Sequence, residues 1–556
     1  MNRRAFLTLS GACAGAGLPL APFARLLAQT RADRPGPVVT TAGGRVRGVS
    51  DGAVRIFRGV PYGASTAGSN RFQPPRAAAP WTGVRDAGSY GLRAFQPLRP
   101  MIPEIGDALT GSGPMSEDCL RLNVFTPGTN GRRPVMVWFH GGGQRTGSGN
   151  SIFYDGRELA RQHDVVVVTT THRLNAFAYL WLAGLPGTGS LFADCVNLGL
   201  RDLVLALEWV RDNIARFGGD PRRVTIAGES AGSFAVSAQM ASPMARDLIA
   251  GAIGESGAFF STTISTPTRD STEKIGVAFG QKVGATNLAA LRALSATELL
   301  DWSGRPGMPR FGPNVDGWFF PEVPANIFLA GKQAKVPLLA GWNSEEMNPR
   351  AVLQETPNSE NVKALLARLY PGRAEEAAKV FPASTPEEAL QSVTDLAGDR
   401  FIGFSTWKWL EVHAKTSGKP VYRYLYARPR PPTVETGVTP NLAGGVTRGG
   451  NTPPPPPARG AVHSAEIEYA MGNLHLNKVF AWTDDDRKVS QTMQGYFENF
   501  IKTGNPNGQG LPNWPAGAVD ASGNAQRIRI DVETKAEPEP RARYLFQDQV
   551  ASTPRP

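Results

Sequence analysis

Residues 222–236 read RRVTIAGESAGSFAV, and the part played by Ser230 in this stretch decides how the whole chain is read. Val224-Thr225-Ile226-Ala227 is a short apolar run of the kind found in a buried strand. From Ala231 to Met240 the residues suit the first turns of a helix, and Gly228 and Gly232 flank the serine. A serine between a strand and a helix has two readings. Its hydroxyl caps the helix by accepting from a first-turn N–H, or it stands outward on a tight turn, ready for chemistry. The pentapeptide G-x-S-x-G by itself does not choose between them.

The surrounding pattern supplies context. Residues 38–60 alternate and are cut by glycines, as small antiparallel hairpins are. RPVMVWFHGGG (133–143), DVVVVTTTHRL (164–174) and KVPLLAGWN (335–343) instead hold continuous apolar runs, which suit strands buried on both faces. Between them, residues 197–221 carry Leu200, Leu203, Leu207, Val210, Ile214 and Phe217 at helical spacing and stop at Gly218-Gly219. Strands alternating with helices predict an α/β architecture with a mostly parallel central sheet, helices on both of its faces and a small N-terminal antiparallel hairpin region. Residues 428–460 hold few core formers and a proline run, Pro453–Pro457, and are expected to form a surface loop inserted in a single domain spanning 29–556.

Composition removes other classes. With 556 residues, 41% hydrophobic and 19% charged, the chain can bury a large core. Residues 1–28 are different: Asn2-Arg3-Arg4-Ala5-Phe6-Leu7 and the apolar stretch after it, with no acidic residue, look like a twin-arginine export signal cleaved after Ala28. Cys13 has Ser10 rather than leucine three residues before it, so lipid attachment is not expected. Removing Arg3, Arg4 and Arg25 lowers the formal charge from +11 to +8. The remaining basic residues are scattered and no nucleic-acid motif is present, so no nucleic-acid partner is expected. No later stretch is long and apolar enough for a transmembrane helix, and no metal-ligand spacing occurs among the six histidines. The expected site of action is the periplasm or the exterior, without a cofactor.

An ester hydrolase that uses serine needs a base for the hydroxyl, an acid to orient the base, and donors for the oxyanion. Gly141-Gly142-Gly143 come directly after a buried strand, where bare backbone N–H groups can face a substrate oxygen. In VPLLAGWNSEEMNP (336–349), Glu345 and Glu346 stand just past an apolar run, at the strand end where the acid is expected. His463, in ARGAVHSAEIEYAMGNL (458–474), precedes a segment with helical spacing at Ile467, Met471 and Leu474. His413 lies in an apparent helix, and His475 is the other late candidate.

FRGVPYG, RFQPP, SEDCLRLNVFTP, HGGG, VTIAGESAG, GPNVDG, GWNSEE, VHSAEIEY and TGNPN stand one after another in the order of the type-B carboxylesterases, the family of cholinesterases and bacterial para-nitrobenzyl esterases, which this chain resembles over nearly its whole length past the leader. The resemblance implies an α/β-hydrolase fold and hydrolysis of small-molecule carboxylic esters. It implies that Ser230 is the nucleophile, His463 the base and Glu346, the last residue of G-x-N-x-x-E, the acid. Gly142, Gly143 and Ala231 fall on the oxyanion donors, and Glu229 and Ser256 on supporting positions. The second GES, at 254–256, is then a decoy, because Ala258 replaces the closing glycine. Arg71 and Glu117 fall on a buried ion pair.

The chain also departs from the family. The usual cysteine upstream of Cys119 is absent, which leaves Cys119 and Cys195 either bridged to each other or free. Gln144 and Arg145 stand after the glycines where an aromatic residue is frequent, so the acyl pocket is expected to be more polar. His172 replaces a tyrosine. Besides a general carboxylesterase, two readings stand: an esterase specialised for polycarboxylate or toxin esters, and a non-catalytic binding relative. Oligomeric state has no signal in the sequence.

Overall fold

A computed structural model describes residues 34–97, 110–111, 113–185, 195–261, 266–440, 446–447, 458–517 and 519–552. The leader expected over residues 1–28 and the run Pro453–Pro457 lie outside the described residues.

The apolar runs become a large mixed sheet. Its strands are β1 (Arg34–Thr40), β2 (Arg45–Asp51), β3 (Val54–Pro61), β4 (Val84–Asp86), β5 (Arg121–Thr126), β6 (Arg133–Phe139), β7 (Val166–Thr171), β8 (Gly219–Glu229), β9 (Gly251–Glu255), β10 (Leu338–Asn343) and β11 (Val421–Tyr426). A separate two-residue ladder joins β12 (Thr439–Pro440) to β13 (Val446–Thr447), and β14 (Gln526–Ile530) and β15 (Lys535–Pro538) complete the main sheet. The order is β1-β2-β3-β5-β7-β6-β8-β9-β10-β11-β14-β15, with β4 beside β2. From β7 to β14 all neighbours run parallel, while β1, β2, β3 and β5 pair antiparallel. That is the predicted α/β arrangement with its N-terminal hairpins.

Why the parallel strands are apolar throughout is visible in β6. Successive side chains point to opposite faces. Val135, Val137 and Phe139 join one core with Leu203 and Leu207 of the helix Leu198–Asn213 and with Trp407 and Leu410 of the helix Phe404–Thr416. Met136 and Trp138 join another, with Leu159 of Arg157–His163 and Met493, Phe497 and Phe500 of Asp484–Thr503. Helices therefore cover both faces.

Two elements differ in detail from the expectation. The helix after Asn197 runs as α-helix only to Asn213, then tightens to a 3-10 turn over Ile214–Phe217 that ends at Gly218 with φ +79°. The helical spacing after His463 yields only Ile467–Ala470, because Gly472 turns left-handed at φ +73°, and a separate 3-10 turn holds Leu474–Leu476. No helix among the described residues is long and apolar enough to cross a membrane.

Candidate active site

In a parallel sheet the loops beyond the carboxyl ends of the strands are where ligands bind. Here β6, β8, β9 and β10 are neighbours, and each ends at a segment singled out from the sequence.

Ser230 comes directly after β8 with φ +56° and ψ −121°, and the helix Ala231–Ala241 starts immediately beyond it. A non-glycine residue held there costs about 1–3 kcal/mol. The turn persists because the surroundings define it: Ser230 N–H donates to Glu255 O at 2.8 Å, and Phe234 N–H donates to Ser230 O at 2.9 Å. A Cβ on Gly232 would lie 2.1 Å from Phe139 O, so only glycine lets the helix sit this close to β6. The serine side chain makes no capping bond to the helix, which rejects the cap reading, and the residue is partly exposed.

Across from it, Gly142 and Gly143 have φ +108° and +64°. Gly142 is buried and Gly143 exposed, and a Cβ on Gly142 would meet Thr146 O at 2.3 Å. Gln144 ties this loop to the Ser230 turn, its Nε2 donating to Ala231 O at 3.1 Å while Tyr179 donates to its Oε1 at 2.7 Å. Both hydrogen bonds use the polar residue that replaces the frequent aromatic one.

Past β10 the two glutamates separate. Glu345 turns outward and accepts from the backbone N–H of Arg459. Glu346 is 1% exposed; it accepts from Asn343 N–H at 2.7 Å and from the Ser256 hydroxyl at 2.5 Å on Oε1, and from His463 Nδ1–H at 2.6 Å on Oε2. The His463 segment is fastened to this strand end by Glu345 N–H on Ala461 O at 2.8 Å and Ala461 N–H on Ser344 Oγ at 2.9 Å. The Phe401 ring stands edge-on to the imidazole at 5.0 Å. His463 Nε2 lies 3.2 Å from Glu229 Oε1, which also accepts from Ser464 Oγ at 2.5 Å.

Sequence reasoning passed over two further carboxylates of this buried cluster, Glu466 near the histidine and Glu255 near Glu466 and Glu229. Glu255 and Glu466 are fully buried with Glu229 and Glu346. Burial raises the carboxyl of Glu466 to about 8, with help from the charges of Glu229 and Glu346, and raises Glu255 and Glu229 as well. Burial also works against a charged His463, but Glu229 and Glu346 outweigh it and bring the imidazole from 6.5 to about 9. Asn343 links the groups, donating to Val462 O at 2.7 Å and to Glu466 Oε2 at 2.5 Å. The only sequence signals for Glu466 and Glu255 were their places three residues past His463 and inside the decoy motif. The decoy has a structural place: Glu229 and Glu255 are register partners on β8 and β9, and Ser256 repeats the left-handed φ at +57°.

The remaining expectations also find their places. Ser230, Glu229, Ala231, Gly142 and Gly143 sit on the β6 and β8 ends, and Ser256, Glu346 and His463 on the β9 and β10 side. His413 is buried in its helix, its Nε2 2.9 Å from Val336 O, and has no part in this cluster. Arg71 and Glu117 form a buried two-point pair at 2.7 and 2.6 Å. Cys119 and Cys195 are both buried and are not bridged to each other. His172 stacks on His140 at 4.4 Å, and burial pushes both imidazoles below their ordinary range.

Comparison with known proteins agrees with this architecture. The sequence profile described as the carboxylesterase family matches residues 35–546. The para-nitrobenzyl esterase of Bacillus subtilis (strain 168) is 33% identical over 503 residues, covering 86% of this chain and 92% of its own. A solved structure of PNB esterase superposes with a TM-score of 0.71 at 30% identity, over 92% of this chain and 99% of that one. The Geobacillus stearothermophilus carboxylesterase EST55 does so with a TM-score of 0.74 at 28% identity, over 93% and 100%. The chain has the α/β-hydrolase fold and belongs to the carboxylesterase family.

Proposed function

We propose that Ser230, His463 and Glu346 are the catalytic triad with which this carboxylic ester hydrolase works. The observation that carries the assignment is the buried 2.6 Å hydrogen bond from His463 Nδ1 to Glu346 Oε2 beside the uncapped, strained turn of Ser230. In this reading Nδ1 holds the proton, so Nε2 is the basic nitrogen. It takes the Ser230 proton as the oxygen bonds to the ester carbonyl carbon. The N–H groups of Gly142, Gly143 and Ala231 meet the charge that develops on the carbonyl oxygen. Collapse of the tetrahedral species breaks the bond to the alkoxy group, which leaves with the proton from His463. Water then attacks the acyl-enzyme, with the same imidazole as base. Glu346 holds the imidazolium, Ser256 holds Glu346, and Glu229 adds a second negative charge beside the ring.

Residues 1–28 belong to this proposal as an export signal, on the strength of their paired arginines and apolar stretch. The experiment is Ser230→Ala. With φ at +56° alanine carries the same backbone strain as serine, so thermal stability is expected to stay within a few degrees while kcat on a short-chain aryl ester falls about 10⁴-fold or more. A variant that keeps most of its turnover defeats the assignment.

A further inference from the structure

Glu255 closes β9 and is tied by its backbone to the Ser230 turn, its carbonyl oxygen accepting from Ser230 N–H at 2.8 Å. Its side chain is buried, and neither carboxyl oxygen has a hydrogen-bond partner among the described residues. Register explains the company it keeps. On one side its partner is Glu229 of β8, and on the other it is Gly341 of β10, which offers no side chain. A Cβ on Gly341 would meet Tyr424 Cγ at 2.3 Å, so the Tyr424 ring of β11 lies across that bare position. The hydroxyls of Tyr424 and of Tyr154, in the turn Ile152–Tyr154, are buried and make no hydrogen bond among the described residues.

Chemistry decides which protonation state such a place allows. A carboxylate taken out of water without a donor or a cation loses its hydration and gains nothing in return. Burial, and after it the negative charges of Glu466 and Glu229, raises the Glu255 carboxyl well above the ordinary range. The cations of the cluster, His463 and Arg430, act on Glu229. Arg430 also donates to Glu468 Oε2 at 2.9 Å, and Glu346 takes the Nδ1 side of the imidazole. Glu229 is therefore the better-supported anion of the register pair: its Oε1 accepts from Ser464 Oγ and stands 3.2 Å from His463 Nε2, while its Oε2 is buried without a donor. Neighbouring strands are about 4.8 Å apart and register partners project to one face, so the two carboxyls are neighbours. Two carboxyls in one dry space resist ionising together, and a single proton settles on the one with less support.

We propose that Glu255 is a positioning residue for ester hydrolysis that acts as a neutral acid: it keeps its proton while the enzyme turns over and holds that hydrogen toward Glu229, which stays ionised beside His463. Glu255 makes no contact with substrate. It acts through Glu229, and Glu229 acts through the charge it sets against the imidazole. An apolar side chain here would leave Glu229 Oε2 without a hydrogen, and an ionised one would add a further anion to Glu229 and Glu346. The proposal rests on His463 being the base.

The test uses the full chain and reads two things: the pH–rate profile of kcat/KM on a short-chain aryl ester, and the infrared carbonyl band of protonated carboxylic acids at neutral pH. In Glu255→Leu the ascending limb of the profile is expected to move to lower pH by about half a unit or more, because Glu229 takes up a proton once its donor is gone. Combining that change with Glu229→Gln should add no further shift, since the two act in series. In Glu255→Gln the amide N–H donates as the acid did, so the limb should return to within about 0.3 of its wild-type position. The same glutamine variant should lose one carboxyl's share of the acid band, and the difference spectrum separates Glu255 from Glu466, whose carboxyl is also raised. A limb that falls in Glu255→Gln as far as in Glu229→Gln, or an acid band that Glu255→Gln leaves intact, shows an ionised Glu255 and overturns the proposal. A limb that Glu255→Leu leaves in place overturns it too. Should the leucine variant fail to fold, the glutamine variant and its band decide alone. Wild-type turnover in His463→Gln instead overturns the choice of base; the infrared band does not depend on that choice, so the two failures are distinct.

Discussion

His463 is placed among more negative charge than a triad requires. Glu346 meets Nδ1 at 2.6 Å, and Glu229 stands 3.2 Å from Nε2. In the proposed mechanism attack by Ser230 needs the neutral ring, while the imidazolium formed in the transition state gains from both carboxylates. With the imidazole raised to about 9, kcat/KM is expected to climb with pH across the neutral range and level off only in mild alkali. Replacing Glu229 by Gln removes one of the two charges that raise the ring, so the ascending limb moves to lower pH. A limb that stays in place in the pH–rate profile of Glu229→Gln would show that Glu229 does not act on His463. Single residues were singled out where a motif named them: Ser230 by its flanking glycines, and Glu346 over Glu345 by the last place of the family pattern G-x-N-x-x-E. Glu255 and Glu466 were not, because a glutamate in the letters does not disclose burial. That depends on how β9 and the segment after His463 pack, and both oxygens of Glu255 lack a partner among the described residues.

At the scale of elements, the site is a consequence of register. β6, β8, β9 and β10 run parallel side by side, so the segments that begin after Phe139, Glu229, Glu255 and Asn343 all land on one rim. Two of these strands end in a left-handed serine. Ser230 leads into a helix and keeps its hydroxyl uncapped, whereas Ser256 commits its hydroxyl to Glu346. The glycine loop is packed as closely. Gly142→Ala places a Cβ 2.3 Å from Thr146 O at a φ of +108°, which must displace the proposed donors. Loss of one such donor raises the barrier by about 3 kcal/mol, so kcat should drop at least 100-fold with a smaller change in KM. An alanine variant with unaltered kcat would remove Gly142 from the oxyanion site. Strands and the long helices were legible because their periodicity is local. The break after Ala470 was not, since the apolar spacing of Met471 and Leu474 continues across Gly472 and only its left-handed turn stops the helix.

Across the whole molecule, segments distant in sequence lie on one rim because the sheet brings strand ends together and β10 receives the His463 segment as a bridge from Glu345 to Val462. Its scaffold holds without a disulfide between its two described cysteines. Order along the chain and a family resemblance pointed to these segments, while the departure at Gln144 was legible as a residue but not as the link it makes from the glycine loop to Ala231 O. The most direct measurement of the convergence is to react the full chain with a fluorophosphonate and map the adduct by peptide mass spectrometry. Ser230, activated by His463 and Glu346, should carry a single phosphonyl group, in step with loss of esterase activity. An adduct on Ser256 or any other residue, or full inactivation with Ser230 unmodified, would contradict it.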